Sequence, residues 1–187
     1  MVKKKTCVFI SGNGSNLKNL IYNSRNNNFP ISIDLVICNN KKAKGIIYAK
    51  KNSIPFLILN TKMRNFERIA LKELKKYKIE LICLAGFMRI ISKEFINNFK
   101  RKIINIHPSL LPKYKGLNTF ERILKGKEKK TGCTVHFVNE NLDGGRIILQ
   151  KSFYINKSDN ILSLKQKTQN LEYKAFPEAI VKIFRYN

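Results

Sequence analysis

Short apolar runs alternate with longer amphipathic stretches along the first half of the chain. Residues 6–10, 31–38, 55–59 and 81–85 read as strands, and the last of these, Leu-Ile-Cys-Leu-Ala, is apolar throughout. Between them lie helical patterns: one carrying Leu17, Leu20 and Ile21, one over residues 41–52 and one over 65–77. Continuously apolar strands separated by helices imply a parallel sheet covered on both faces. Ser92 is placed to cap a short helix running through Phe99, since its hydroxyl can take a free first-turn amide.

The next apolar run is Ile103-Ile104-Asn105-Ile106-His107, stopped by Pro108. Pro108 cannot donate to a ladder, so His107 is expected as the last strand residue. Asn105 and His107, two apart, share one face of that strand. An amide and an imidazole at a strand's carboxyl end sit where open α/β sheets bind ligands. Beyond Pro112, residues 113–118 form an irregular loop read as a lid, then a helix over 120–124. Residues 131–138 alternate as a strand, with His136 taken as a packed structural histidine. A turn at 139–145 and a strand at 147–155 complete a hairpin that adds antiparallel strands to one sheet edge, and a last helix spans 160–184. The pattern has no repeat or linker. It predicts one α/β domain over residues 1–187, doubly wound and Rossmann-like. Its sheet is mostly parallel, with antiparallel strands at the C-terminal edge and helices on both faces.

Charge changes the picture less than its size suggests. Thirty-seven Lys and Arg against 12 Asp and Glu give a net +25, which fits a polyanion partner. Lys far outnumbers Arg, however, and the chain is crowded with Asn and Ile. Those three residues share AT-rich codons, so a biased genome is the simpler account. Four separated cysteines, Cys7, Cys38, Cys83 and Cys133, include no CxxC. They are expected as buried thiols rather than a metal site. The basic N-terminus is followed by an apolar stretch broken at Gly12 and Asn13, too short for a signal or a membrane span. A cytoplasmic protein is expected.

The turn Ser11-Gly12-Asn13-Gly14-Ser15-Asn16, between a strand and a helix, suits an anion at the helix N-terminus. A dinucleotide fingerprint would need a third glycine, and an acid after the second strand, where Asn39-Asn40 stands. A single phosphate fits better; the competing reading is a tight turn capped by Ser15 or Asn13.

Five segments, in this order and spacing, resemble the phosphoribosylglycinamide formyltransferases. They are residues 10–17 (Ile-Ser-Gly-Asn-Gly-Ser-Asn-Leu), 84–90 (Leu-Ala-Gly-Phe-Met-Arg-Ile), 105–114, 142–145 (Leu-Asp-Gly-Gly) and 169–177. The resemblance implies formyl transfer from 10-formyltetrahydrofolate to glycinamide ribonucleotide, with Asn105, His107 and Asp143 catalytic. It gives Gly12, Asn13, Gly14, Ser15, Asn16, Gln169 and Glu172 to the ribonucleotide. It gives Arg64, Met88, Arg89, Ile90, Ile91, Asn105, Asn139, Glu140, Asn141, Leu142 and Asp143 to the folate. Met63 competes with Arg64 for the family's arginine position, and Lys115 stands where a proline is usual before Gly116. Asp143 reads equally as an Asp-Gly hairpin residue. The resemblance implies no metal, no specific nucleic acid, no membrane, and a monomer or weak homodimer. Methionyl-tRNA formyltransferase shares the Asn-x-His-Pro-Ser segment but needs a second domain. Formyltetrahydrofolate deformylase carries an additional N-terminal domain. A basic nucleic-acid-binding module is the alternative outside the enzymes.

Overall fold

In a computed structural model, which describes residues 2–60 and 65–185, seven strands form one sheet in the order β3-β2-β1-β4-β5-β6-β7. Strands β1 (Lys4–Ile10), β2 (Ile31–Cys38), β3 (Phe56–Ile58), β4 (Leu81–Leu84) and β5 (Lys102–His107) pair in parallel. Strands β6 (Lys130–Phe137) and β7 (Ile147–Tyr154) pair antiparallel at the C-terminal edge. The α/β class, the parallel sheet and the antiparallel edge are those the sequence predicts.

The chain forms two compact units, Met1–Asn105 and Ile106–Asn187. The first holds α1 (Ser15–Ser24), α2 (Ile46–Lys51), α3 (Phe66–Lys76) and α4 (Lys93–Phe99). Every residue of β4 is buried, and so are the last five of β1, as a strand covered on both faces requires. Ser92 caps α4, accepting from Phe95 N–H at 3.0 Å. Glu67 of α3 in turn accepts hydrogen bonds from the Ser92 hydroxyl and amide, tying the two helices together.

Helix α2 is shorter than the predicted 41–52. Asn40 forms a side-chain turn onto Lys42 N–H (2.9 Å), and the Gly45 N–H goes to Gly12 O (3.0 Å) instead of a helical acceptor. The helix therefore starts only at Ile46. A predicted boundary failed here because a tertiary hydrogen bond outcompeted a local one.

The second unit holds α5 (Thr119–Lys125), the β6–β7 hairpin and α6 (Ile161–Arg185), which packs on both strands of the hairpin. The four cysteines are free and buried. Burial pushes the Cys133 thiol up to about 12, with the Glu172 carboxylate adding to it, and raises Cys7, Cys38 and Cys83 as well. Among the described residues, no helix is long and apolar enough to cross a membrane, and no group of three or more metal-ligating side chains forms.

Candidate active site

His107 is the last residue of β5 and is 5% exposed. Its Nδ1 lies 3.3 Å from Asp143 Oδ2, and its Nε2 lies 2.9 Å from the carbonyl oxygen of Tyr114. A carbonyl only accepts, so that bond places a proton on Nε2. Asp143 sits in the β6–β7 turn with φ 45, a left-handed conformation that Asp tolerates. It is both the turn residue and the partner of His107.

The carboxylate is held from three sides. Gly116 N–H donates to Oδ2 at 2.8 Å, His107 approaches the same oxygen, and His136 Nε2 stands 3.6 Å from Oδ1. Burial alone would raise the carboxyl, but the His136 contact, the Gly116 amide and the two imidazoles outweigh it, taking it down to about 2. For His107 the balance is opposite. Burial, opposing the cation, wins over the Tyr114 carbonyl and Asp143, with His136 and Arg122 adding to the lowering, so the imidazole falls below its ordinary value. The carboxylate is firmly ionised, and the imidazole surrenders its second proton readily.

His136 is buried, as expected, but it is part of this cluster rather than mere packing. The β6–β7 register shifts between Val135 and His136, whose partners are Leu149 and Ile147, so the extra residue is Ile148 of β7 and His136 lies at the last pairing before the turn. Its Nδ1 donates to Phe137 O at 2.8 Å, leaving Nε2 toward Asp143. Periodicity carries no sign of that contact. A histidine shortly before an Asp-Gly turn was the available hint, because a hairpin folds those neighbours together.

Loop 113–118 was expected as a lid; here its backbone contributes two polar atoms to the cluster, Tyr114 O and Gly116 N. Lys115 O accepts from Arg122 Nη1 at 2.5 Å, so the residue in the usual proline position is held through its carbonyl. The remaining turn residues, Asn139, Glu140, Asn141 and Leu142, precede Asp143, and the Leu142 side chain is exposed. Gln169 and Glu172 lie half-buried on α6.

In the first unit, Asn105 lies opposite Leu84 in the β4–β5 register, at the carboxyl end of both strands. After β4, Met88 and Ile90 are exposed at 68% and 69%, while Ile91 is buried and Arg89 stacks over the Phe66 ring at 4.6 Å. Two outward apolar side chains on one short segment suit a flat, partly apolar ligand. Met88 N–H donates to Ser11 Oγ at 2.7 Å, fastening this segment to the glycine turn.

That turn has Gly14, not Ser15 or Asn13, as the α1 N-cap, with no side-chain cap. Gly14 has φ +70, and a Cβ there would meet Gly45 Cα at 2.6 Å, so no larger residue fits without displacing backbone. Gly12 and Asn13 precede it, and Ser15 and Asn16 open α1. Arg64 and Met63 lie outside the described residues.

Residues 4–180 match the family model described as formyl transferase. The chain is 40% identical to the phosphoribosylglycinamide formyltransferase of Haemophilus influenzae, over 95% of this chain and 85% of that protein. It is also 40% identical to the human trifunctional purine biosynthetic protein adenosine-3, of which it spans 18%. The crystal structure of phosphoribosylglycinamide formyltransferase from Campylobacter jejuni superposes with TM-score 0.91 at 37% identity, covering 98% of both chains. Likeness of this extent, along nearly the whole chain and over a sheet of this order, shows that the chain belongs to the formyl transferase family, among the phosphoribosylglycinamide formyltransferases.

Proposed function

We propose that this chain transfers the formyl group of 10-formyltetrahydrofolate to the amine of 5'-phosphoribosylglycinamide, giving formylglycinamide ribonucleotide and tetrahydrofolate in purine (IMP) biosynthesis. The observation that carries the reading is the His107–Asp143 contact of 3.3 Å at the end of the strand that also bears Asn105. In this reading the uncharged amine attacks the formyl carbon and a C–N bond forms as the carbonyl π electrons move to oxygen. Asn105 donates its amide hydrogens to that oxyanion, the type of stabilisation that usually carries the largest catalytic term. His107 donates a proton toward the same oxygen, exchanging the Tyr114 carbonyl for the substrate. Asp143, ionised throughout, steadies the His107 cation and orders the water that carries the proton the amine loses to the departing folate nitrogen as the old C–N bond breaks. The proton lent to the oxygen returns to His107 as the carbonyl re-forms.

The turn Gly12 to Asn16 takes the ribonucleotide phosphate, with Gln169 and Glu172 on its ribose or glycinamide portion. Met88 to Ile91 and Asn139 to Asp143 take the pterin, and Arg64 belongs to the same folate set. The sheet and both hairpin strands then act as one formyltransferase domain over residues 1–187. The enzyme works in the cytoplasm as a monomer or weak homodimer, on small molecules, without metal or a specific nucleic-acid partner. Free, buried thiols support that compartment.

The test is purified protein with 10-formyltetrahydrofolate, with and without the ribonucleotide, following folate product by absorbance. Product only when the ribonucleotide is present is the expected result. Product without it indicates a hydrolase, and none in either case overturns the reading.

A further inference from the structure

Tyr114 is held at both ends. Its backbone carbonyl binds His107 Nε2, while its phenol donates to Glu128 Oε1 at 2.9 Å. The residue has φ 58, a conformation that a bulky side chain keeps only when its surroundings impose it. Two independent features impose it. Glu128 supplies the acceptor for the phenol and is itself fixed by Lys113 Nζ at 2.9 and 3.3 Å. Gly126 supplies the room: a Cβ there would stand 2.2 Å from the Tyr114 hydroxyl. Arg122 covers the ring, 5.6 Å from its centroid.

We propose that Gly126 and Glu128 form a socket for the Tyr114 phenol and thereby act as positioning residues for the carbonyl that orients His107. The socket sets which nitrogen of the imidazole carries the proton, without touching substrate. This rests on His107 being the reacting imidazole of the proposed transfer. The other groups bearing on that ring are Asp143 from the β6–β7 turn, His136 from β6 and Arg122 from α5. Arg122 also covers the Tyr114 ring, and both conservative variants leave that ring in place, so loosening the socket reaches His107 through the Tyr114 carbonyl.

The chain has two histidines, so imidazole ¹⁵N spectra of the full protein resolve both rings. Tyr114→Phe keeps the ring and removes only the hydroxyl; Glu128→Gln keeps an acceptor and removes the charge. In each, the slowly exchanging Nε2–H signal of His107 is expected to broaden and its titration to move to lower pH, because a carbonyl contact favouring the charged ring weakens. Turnover falls roughly tenfold with little change in either KM, and the double variant is no worse than the single ones. Unchanged His107 spectra and titration in both folded variants would overturn the proposal. Gly126→Ala should reproduce the same signature, but the conservative pair decides the matter if it folds poorly. Loss of the transfer reading itself would show as an inactive wild-type protein, and the spectra would still decide whether the socket orients His107.

Discussion

His107 Nδ1 stands 3.3 Å from Asp143 Oδ2, and burial acts against the charge on each. The carboxyl stays ionised because Gly116 and His136 also serve it; the imidazole, with weaker compensation, loses its proton early. An imidazole that gives up its proton easily, beside a carboxylate that stays charged, suits a step in which the ring donates and the fixed anion steadies its charged form.

Replacing Asp143 by Asn removes an anion that favours the imidazolium. The His107 titration then moves further down, and the fall in kcat with rising pH sets in at lower pH. Turnover at the optimum drops as well, by roughly 10²-fold or more, since the anion of the proposed proton relay is lost. A kcat–pH profile checks both; an unshifted profile counts against the pairing.

Both shifts have the same sign for stability. Each group binds protons less readily folded than unfolded, so stability rises with pH across each titration. For His107 the loss begins as pH falls through the ordinary imidazole value of 6.5. For Asp143 it begins near 3.8 and continues to about 2. Urea midpoints measured from pH 8 down to 3 should fall in two steps, and in Asp143→Asn the lower step should shrink.

Strand-end placement of His107, capping by Ser92 and the hairpin edge were legible because side-chain type and spacing encode them. What was not legible depended on backbone atoms or on register. Tyr114 acts through a carbonyl, Gly116 through an amide, and His136 through the pairing of the hairpin that folds it back near Asp143. Gly45 shortens α2 by donating to Gly12 O, a bond between residues that no local pattern connects. The Asp143–His107 pairing came from family resemblance, since spacing alone does not join those positions.

His136→Phe tests the member of the cluster that the pattern did not reveal. The ring nearly preserves volume at a site 2% exposed, while the contact to Asp143 Oδ1 disappears. The Asp143 carboxyl should rise, and turnover should fall about tenfold, less than in Asp143→Asn. Steady-state kinetics with a parallel thermal melt separates this from unfolding.

Gly14→Ala forces a Cβ against Gly45 in a left-handed conformation. A stability loss of about 2 kcal/mol is expected. The ribonucleotide KM should rise roughly tenfold, while the folate KM changes little. An unchanged ribonucleotide KM in a folded variant would remove the phosphate from this turn.

The four buried thiols give the protein its own reporter. With Cys7, Cys38, Cys83 and Cys133 all at 0% exposure and their acidities suppressed, a thiol-reactive dye has no thiolate to attack in the native state. Two of these cysteines lie in neighbouring parallel strands, β1 and β4, one in β2 and one in the β6–β7 hairpin. Labelling read position by position by mass spectrometry would therefore time the opening of each part of the sheet. Simultaneous labelling would mean that the halves divided at β5 come apart as one cooperative body; earlier labelling of Cys133 would mean that the hairpin opens first.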